Sequence, residues 1–435
     1  MKKVCFLLIA ILVSCTKEME QNVVLLNRMQ DSFQVCQSDL EQYFSEVKGI
    51  DLTKVPTTTI EPIVSGRDTV MYLVNYGDGW ELLSADKRAP VVIAMCDIGK
   101  TTVDDLYSIP EQNIFLKKWE QDLSELKHMA MTVVSEDDSW ISSGADTKSS
   151  DWSDWVYIGE GLFASHVVAE IDHLLSTKWG QGTPWNVSAP YTNGSMTSHC
   201  LTGCGPVAVS QVLYYLHGKI GKPSSSFATC SCNAYIPDGA SFITLDNSNT
   251  SFSNPSADVW SQMPLTSTGA TNAYLVSNLM IWVGYQISAI YKTNSTTSYL
   301  TSFPDVFSES NINCDTLFPC DFDTIYNQLQ QREMPSILRI ADADNNGGHF
   351  VVADGYKRII DEYHKRWVRY NTQGAHEFYE VMSRTVTRDY VCINWGWNGN
   401  GDSSSGHPIW YRVGNSWTAG GHTYATFSSM VYNFS

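Results

Sequence analysis

Positive charge is in short supply. Only 28 Lys and Arg face 46 Asp and Glu, leaving a formal charge of −18 over 435 residues. A chain this acidic has no basic stripe with which to follow a phosphate backbone, which excludes the ordinary nucleic-acid binders. The same deficit removes the polybasic patch that would hold an anionic membrane. No apolar run reaches the about 20 residues that a bilayer-spanning helix needs. The cysteines lack metal-knuckle spacing: Cys230 and Cys232 are separated by one residue, and no matching second pair follows. No internal repeat is evident. Aromatic residues, in contrast, are abundant, with 14 Trp, 22 Tyr and 16 Phe among 43% apolar residues. That composition builds packed cores rather than disorder, and at roughly 100–200 residues per domain the length allows two or three of them.

The first fifteen residues read as an address. Lys2 and Lys3 give a basic start, and residues 4–13 form an apolar core too short to span a bilayer. Leu12-Val13-Ser14-Cys15 resembles a bacterial lipobox, in which Cys15 is acylated and becomes the new N-terminus. Acyl chains supply about 0.8 kcal/mol per buried CH₂, enough for stable anchoring. The expectation is a cell-envelope lipoprotein, periplasmic or surface-exposed, that touches membrane only through its lipid; an ordinary secretory signal with a chance cysteine is the alternative. The cysteines after Cys15 are odd in number, so at least one is unpaired within a monomer, and the sequence fixes no disulfide connectivity.

Three segments follow from the patterning. Residues 1–15 are the signal peptide, 16–148 a small α+β unit, and 149–435 a large second unit. In the front unit, residues 18–47 carry helical spacing. Residues 70–76 and 80–85 flank Gly77-Asp78-Gly79 as a hairpin, residues 90–95 make a third strand, and 112–130 return to helical spacing. Residues 135–154 then shift to Ser, Asp, Gly and Lys, a composition unable to bury enough surface to order itself and favourable for proteolytic nicking. A plain linker is the alternative reading, but a cleavable joint between a small front unit and a large back unit suggests a proenzyme. In the back unit, residues 167–175 show helix-like spacing.

The chemistry lies in three separated segments. Thr202-Gly203-Cys204-Gly205-Pro206 runs into a helix whose buried stripe is Val209, Val212, Leu213 and Leu216, with Pro206 in the first turn and Gly218 as its stop. Cys204 therefore sits at a helix N-terminus, where N–H groups and the helix dipole favour a thiolate. Gly203 and Gly205 would leave room for a substrate backbone. A core cysteine at a helix start is the ordinary reading of this segment alone. A nucleophilic thiolate needs a base. Gly347-Gly348-His349-Phe350-Val351-Val352-Ala353-Asp354-Gly355 alternates as a strand, with His349, Val351 and Ala353 facing away from Phe350 and Val352. Val391-Cys392-Ile393-Asn394-Trp395-Gly396-Trp397 is a buried-looking strand whose aromatic end could shield the imidazole from water.

In this order the three segments resemble the streptopain-like cysteine peptidases, a branch of the papain superfamily. Trp179-Gly180-Gln181-Gly182 is similar to the stretch that precedes the nucleophile there, and the front unit resembles the family's propeptide. The resemblance implies a papain-like α+β fold, a helix-rich half plus an antiparallel sheet half, preceded by a small α+β prodomain. It implies Cys204 as nucleophile and His349 as general base, then acid. Trp395, with Trp397, stands where papain proper uses an Asn to orient the His. The backbone N–H of Cys204 would hold the oxyanion, with Gln181 as a candidate further donor.

The implied function is a cysteine endopeptidase made as a zymogen. Its partners would be protein or peptide substrates, bound through an apolar pocket two positions before the scissile bond, and its own prodomain as intramolecular inhibitor. No metal or organic cofactor is implied. Residues 356–390 depart from the family pattern and would form an extra hairpin near the cleft. Cys200, four residues ahead of Cys204, would permit a redox lock, and Gly414, Gly420 and Gly421 resemble a loop bordering the cleft. Two alternatives stand beside this reading. One is an inactive peptidase scaffold serving as a binding or inhibitor protein, separable by stoichiometric labelling with a thiol-directed epoxide. The other is acyl transfer by the same dyad, which an added amine would expose.

Overall fold

The computed structural model describes residues 33–128, 156–192, 197–223, 241–244, 259–292, 295–341, 348–370, 376–399, 407–412, 417–419, 422–424 and 427–435. Cys15, the joint at 135–154, the Cys230 and Cys232 pair, and Gly414, Gly420 and Gly421 lie outside the described residues. No described helix is long and apolar enough to cross a membrane.

The front unit holds the helix Gln37–Val47, four strands (Thr59–Ser65, Asp68–Tyr76, Gly79–Ser84, Val92–Cys96) and the helices Val103–Tyr107 and Pro110–His128. The expected hairpin closes with Tyr76 opposite Gly79. Thr59–Ser65 was hidden in the sequence by Pro62; it is the edge strand of its sheet, where a missing N–H is tolerated. Pro110–His128 buries Phe115, Leu116, Trp119, Leu123 and Leu126 along one stripe.

Asp122 of that helix is also buried, with Lys118 Nζ 2.5 Å away. Burial pushes the Asp122 carboxyl up to about 6 from 3.8, against the pull of Lys118. A carboxyl raised on folding binds its proton more tightly in the folded state. Its contribution is therefore favourable at low pH and is lost as pH rises through about 6. Asp122→Asn removes that loss, so the thermal midpoint of the variant minus that of wild type should become more positive between pH 4.5 and 7.5. A difference independent of pH would contradict the assignment.

Among the described residues, one antiparallel sheet of eleven strands runs through both units. The front strands end at Val92–Cys96, which pairs with Trp410–Arg412 of the back unit: Met95 lies opposite Trp410 and Ala94 opposite Tyr411. Beyond the seam come His376–Asn394, Gly348–Tyr370, Ser336–Ala341, Phe427–Tyr432 and Asp315–Leu317. The far edge of Gly348–Tyr370 pairs first with Ser336–Ala341, and from Tyr356 onward with Val156–Ile171.

That last strand corrects the helix expected at 167–175. Its apolar spacing imitates a helical stripe, but Val167 and Val168 are half exposed, and the β-branched run pairs along the hairpin instead. The 356–390 insertion does form a hairpin, and with Val156–Ile171 it makes a three-stranded ribbon. Its base packs on the front unit, where Ile359 and Tyr390 join Tyr43 and Phe44, and Val47 covers Tyr363 and Val386. Lys357 Nζ adds an ion pair across the units, 2.6 Å from Asp97 Oδ2.

The sheet carries a core on each face. On one, the helices Cys204–Ile220, Ala273–Gln286 and Phe303–Glu309 cover Ile337, Phe350, Val352 and Val431. On the other, Pro110–His128 and Phe322–Arg332 cover Leu338, Ile340, Val351, Ala353, Ile393 and Trp395. The architecture is the mixed helix-plus-antiparallel-sheet fold that the motifs imply.

Candidate active site

Cys204 is the first residue of the helix Cys204–Ile220, and Gly203 caps it at φ 96°. Side chains rarely adopt that backbone, and a Cβ there would also stand 2.8 Å from Thr296. Thr296 in turn donates to the Leu201 carbonyl at 2.7 Å, fixing the chain as it turns into the helix. Gly205 does not serve substrate access as expected: a Cβ on it would strike Ser298 Oγ and come 3.1 Å from the Phe303 ring. The helix stops at Gly221, left-handed at φ 70°, and not at Gly218, which stays helical. Cys204 itself is 8% exposed, within the helix-side core.

Three polar side chains tie this helix to the Trp395 strand. Thr177 Oγ1 donates to Gln211 Oε1 at 3.0 Å, and Gln211 Nε2 donates to Asn394 Oδ1 at 3.1 Å. Asn394 Nδ2 donates to the Thr177 carbonyl, and the Gly396 N–H to Asn394 Oδ1, both at 3.0 Å. Gln211 and Asn394 were visible in the motifs without a role; Thr177 carried no signal. The turn after Asn394 lies against the helix itself, since Gly396 sits at φ 69° where a Cβ would be 2.9 Å from Val207.

Gln181 and Trp397 join this corner. Gln181 is buried, and its carbonyl accepts from the Thr202 N–H at 2.9 Å and from Thr202 Oγ1 at 3.3 Å. Gly180 pairs with Trp397, and the Asn398 N–H donates to the Trp179 carbonyl at 3.2 Å. Gln181, Cys204 and the Trp395-Gly396-Trp397 turn are thus brought together at the start of one helix.

His349 is the second residue of its strand, half-buried, opposite Ile340. Strand alternation holds as expected. Phe350 and Val352 join the core of Cys204, with the Phe350 ring 4.6 Å from that of Phe303, while Val351 and Ala353 join the core of Trp395. His349 belongs by register to the Trp395 face. Val352 lies opposite Asn394, so continuing the register sets His349 level with the Trp395-to-Trp397 turn.

The front unit covers that face. Phe115 meets Trp395 edge-on at 6.1 Å and Tyr411 edge-on at 5.3 Å. It also lies 6.1 Å from Phe427, which pairs with Ile340, the cross-strand neighbour of His349. Trp395 is fully buried, and its Nε1 has no hydrogen-bond partner among the described residues.

No disulfide joins any two of the seven described cysteines, so Cys200 and Cys204 are not joined. Burial pushes the Cys200 thiol up to about 11. Burial, with Asp315 and Asp321 adding to it, pushes Cys314 and Cys320 to about 12. These three stay protonated at neutral pH and are poor nucleophiles.

Against known proteins, the model of the Peptidase C10 family matches residues 179–403. The fold is similar to that of a Prevotella intermedia prointerpain A fragment, with a TM-score of 0.50 and 18% identity over 86% of this chain and 98% of that one. No curated protein matches the chain. The matched region contains Gln181, Cys204, His349 and the Trp395-to-Trp397 turn, and the chain belongs to the Peptidase C10 family, the streptopain family of cysteine peptidases.

Proposed function

We propose that this chain is an exported cysteine endopeptidase made as a zymogen, with Cys204 as nucleophile and His349 as its base. The observation that carries the reading is the corner itself. A 17-residue helix begins at Cys204 and is clamped through Gln211 and Asn394 to the turn bearing Trp395, on the strand beside that of His349. His349 takes the thiol proton, and the thiolate attacks the scissile carbonyl carbon. The resulting oxyanion is held by the Cys204 N–H at the positive end of the helix, with Gln181 as a second donor. Collapse expels the amine, which leaves with the proton from His349, and water then hydrolyses the acyl-enzyme by the same route. Trp395 and Trp397 keep water off the imidazole and hold its plane.

The front unit acts as the intramolecular inhibitor. It shares the sheet through Met95 and Ala94 and covers the His349 face with Phe115. The likeness to prointerpain A, a pro-form by its name, supports that reading. Export and membrane attachment through acylated Cys15 complete the proposal, with protein or peptide substrates reached from the cell envelope. Purified precursor should shorten on incubation as the 135–154 joint is cut, whereas Cys204→Ala precursor should stay full length by mass spectrometry. Maturation of the variant in the absence of another protease, with cleavage of casein, would overturn the assignment.

A further inference from the structure

A second cluster of reactive side chains lies where Val156–Ile171 leaves the ribbon, and the mechanism makes no use of it. His173 Nδ1 is 3.1 Å from both carboxylate oxygens of Asp354. Cys392 Sγ is 3.6 Å from the same nitrogen and 3.3 Å from Nε2. One donor atom from each of the three residues falls within 4.8 Å of the others.

The backbone is shaped to make this meeting. Ala353 lies opposite Ile393 and Gly355 opposite Cys392, so Asp354 is the extra residue of a β-bulge, a device that re-aims a side chain. Gly355 is required there, because a Cβ would come 2.8 Å from Cys392 Cβ and 2.9 Å from the Ile171 carbonyl. Asp354 and Cys392 are buried, while the His173 side chain is 25% exposed and opens the cluster to solvent. The Leu175 N–H, 3.3 Å from Asp354 Oδ2, orients the carboxylate from behind, as outer-shell donors do in metal sites.

Zinc takes sulfur at about 2.3 Å and nitrogen or oxygen at about 2.0–2.2 Å, which sets neighbouring tetrahedral ligands roughly 3.3–3.6 Å apart. The separations from Nδ1 to the carboxylate oxygens and to the sulfur differ from that by a few tenths of an ångström, and the carboxylate and sulfur lie within 4.8 Å of each other. Sγ stands nearer Nε2 than Nδ1, so the partly exposed His173 ring has to turn to bring its Nδ1 lone pair between the other two donors. A thiolate and an imidazole select a borderline-soft ion over magnesium or calcium, and three protein ligands leave a fourth position for water.

We propose that His173 Nδ1, a carboxylate oxygen of Asp354 and Cys392 Sγ bind one zinc ion. Zinc enters as the hydrated dication, and the Cys392 thiol proton and any proton on Nδ1 pass to solvent as the bonds form. The ion would pin the start of the catalytic unit, at His173, to the strand that leads two residues on to Asn394. Cysteine spacing gave no sign of it, because its ligands come from three distant segments.

The test uses full-length Cys204→Ala precursor, stripped of metal and titrated with Co²⁺, with zinc counted by mass spectrometry after gel filtration. The proposal expects one metal per chain, a sulfur-to-cobalt charge-transfer band that zinc displaces, and a thermal midpoint raised by zinc. All three should vanish in Cys392→Ala and in His173→Gln, while Asp354→Asn should weaken binding tenfold or more. His173 is partly exposed, so His173→Gln keeps the test decisive if Cys392→Ala fails to fold. Parent protein that binds no stoichiometric metal, or a band and stoichiometry that persist in His173→Gln, would overturn it.

Discussion

His349→Ala in the mature enzyme is expected to lower kcat/KM on a peptide substrate by about 10⁴-fold or more while the fold is retained. The residue stands at the start of its strand and is half-buried, so truncating it removes no large part of either core. On the proposed dyad, what is lost is the group that lowers the thiol pKa. In the papain class, pairing with His carries a thiol from about 8.5 to about 3–4. Without that pairing most of the nucleophile stays protonated at neutral pH, and the leaving amine has no acid. The measurement is steady-state kinetics on refolding-checked variant, and a fall of less than tenfold would remove His349 from the chemistry.

Phe115→Ala should have the next largest effect, in the opposite sense. The ring is fully buried between Trp395, Tyr411 and Phe427, so the front unit grips the catalytic unit through it. Removing a buried Phe costs about 3–5 kcal/mol in a packed core. Even one-third of that, applied to docking, shifts the closed-to-open balance by roughly tenfold, since about 1.4 kcal/mol is a factor of ten. The uncleaved precursor should therefore gain peptidase activity and mature at least tenfold faster, with Phe115→Leu close to wild type. A folded Phe115→Ala precursor with an unchanged lag would place the inhibitory contact elsewhere.

Much of this was legible in the sequence, for a common reason. The hairpin at Gly77-Asp78-Gly79, the helix beginning at Cys204 and the alternation around His349 are local patterns with periods of 2 or 3.6 residues, and all three reappear in the fold. What escaped depends on partners far away in the chain. Residues 167–175 present the same apolar spacing to a helix as to a strand, and only pairing with the 356–390 insertion decides between them. The helix end shifted from Gly218 to Gly221 because only the later glycine adopts the left-handed turn. Gly203 and Gly205 looked like clearance for substrate, yet Thr296 and Ser298 occupy that space. The Thr177, Gln211 and Asn394 network, and the seating of Phe115 on Trp395, join residues that no window along the chain brings together.

The most direct measurement is peptide mapping of mature enzyme after brief treatment with a thiol-directed epoxide at neutral pH. One equivalent should be found on Cys204, with activity lost in proportion. Cys200, Cys314 and Cys320 should be unmodified because burial keeps them protonated. Precursor should react far more slowly while the front unit covers the His349 face. Adduct on any other cysteine, or full activity after Cys204 is capped, would contradict the account.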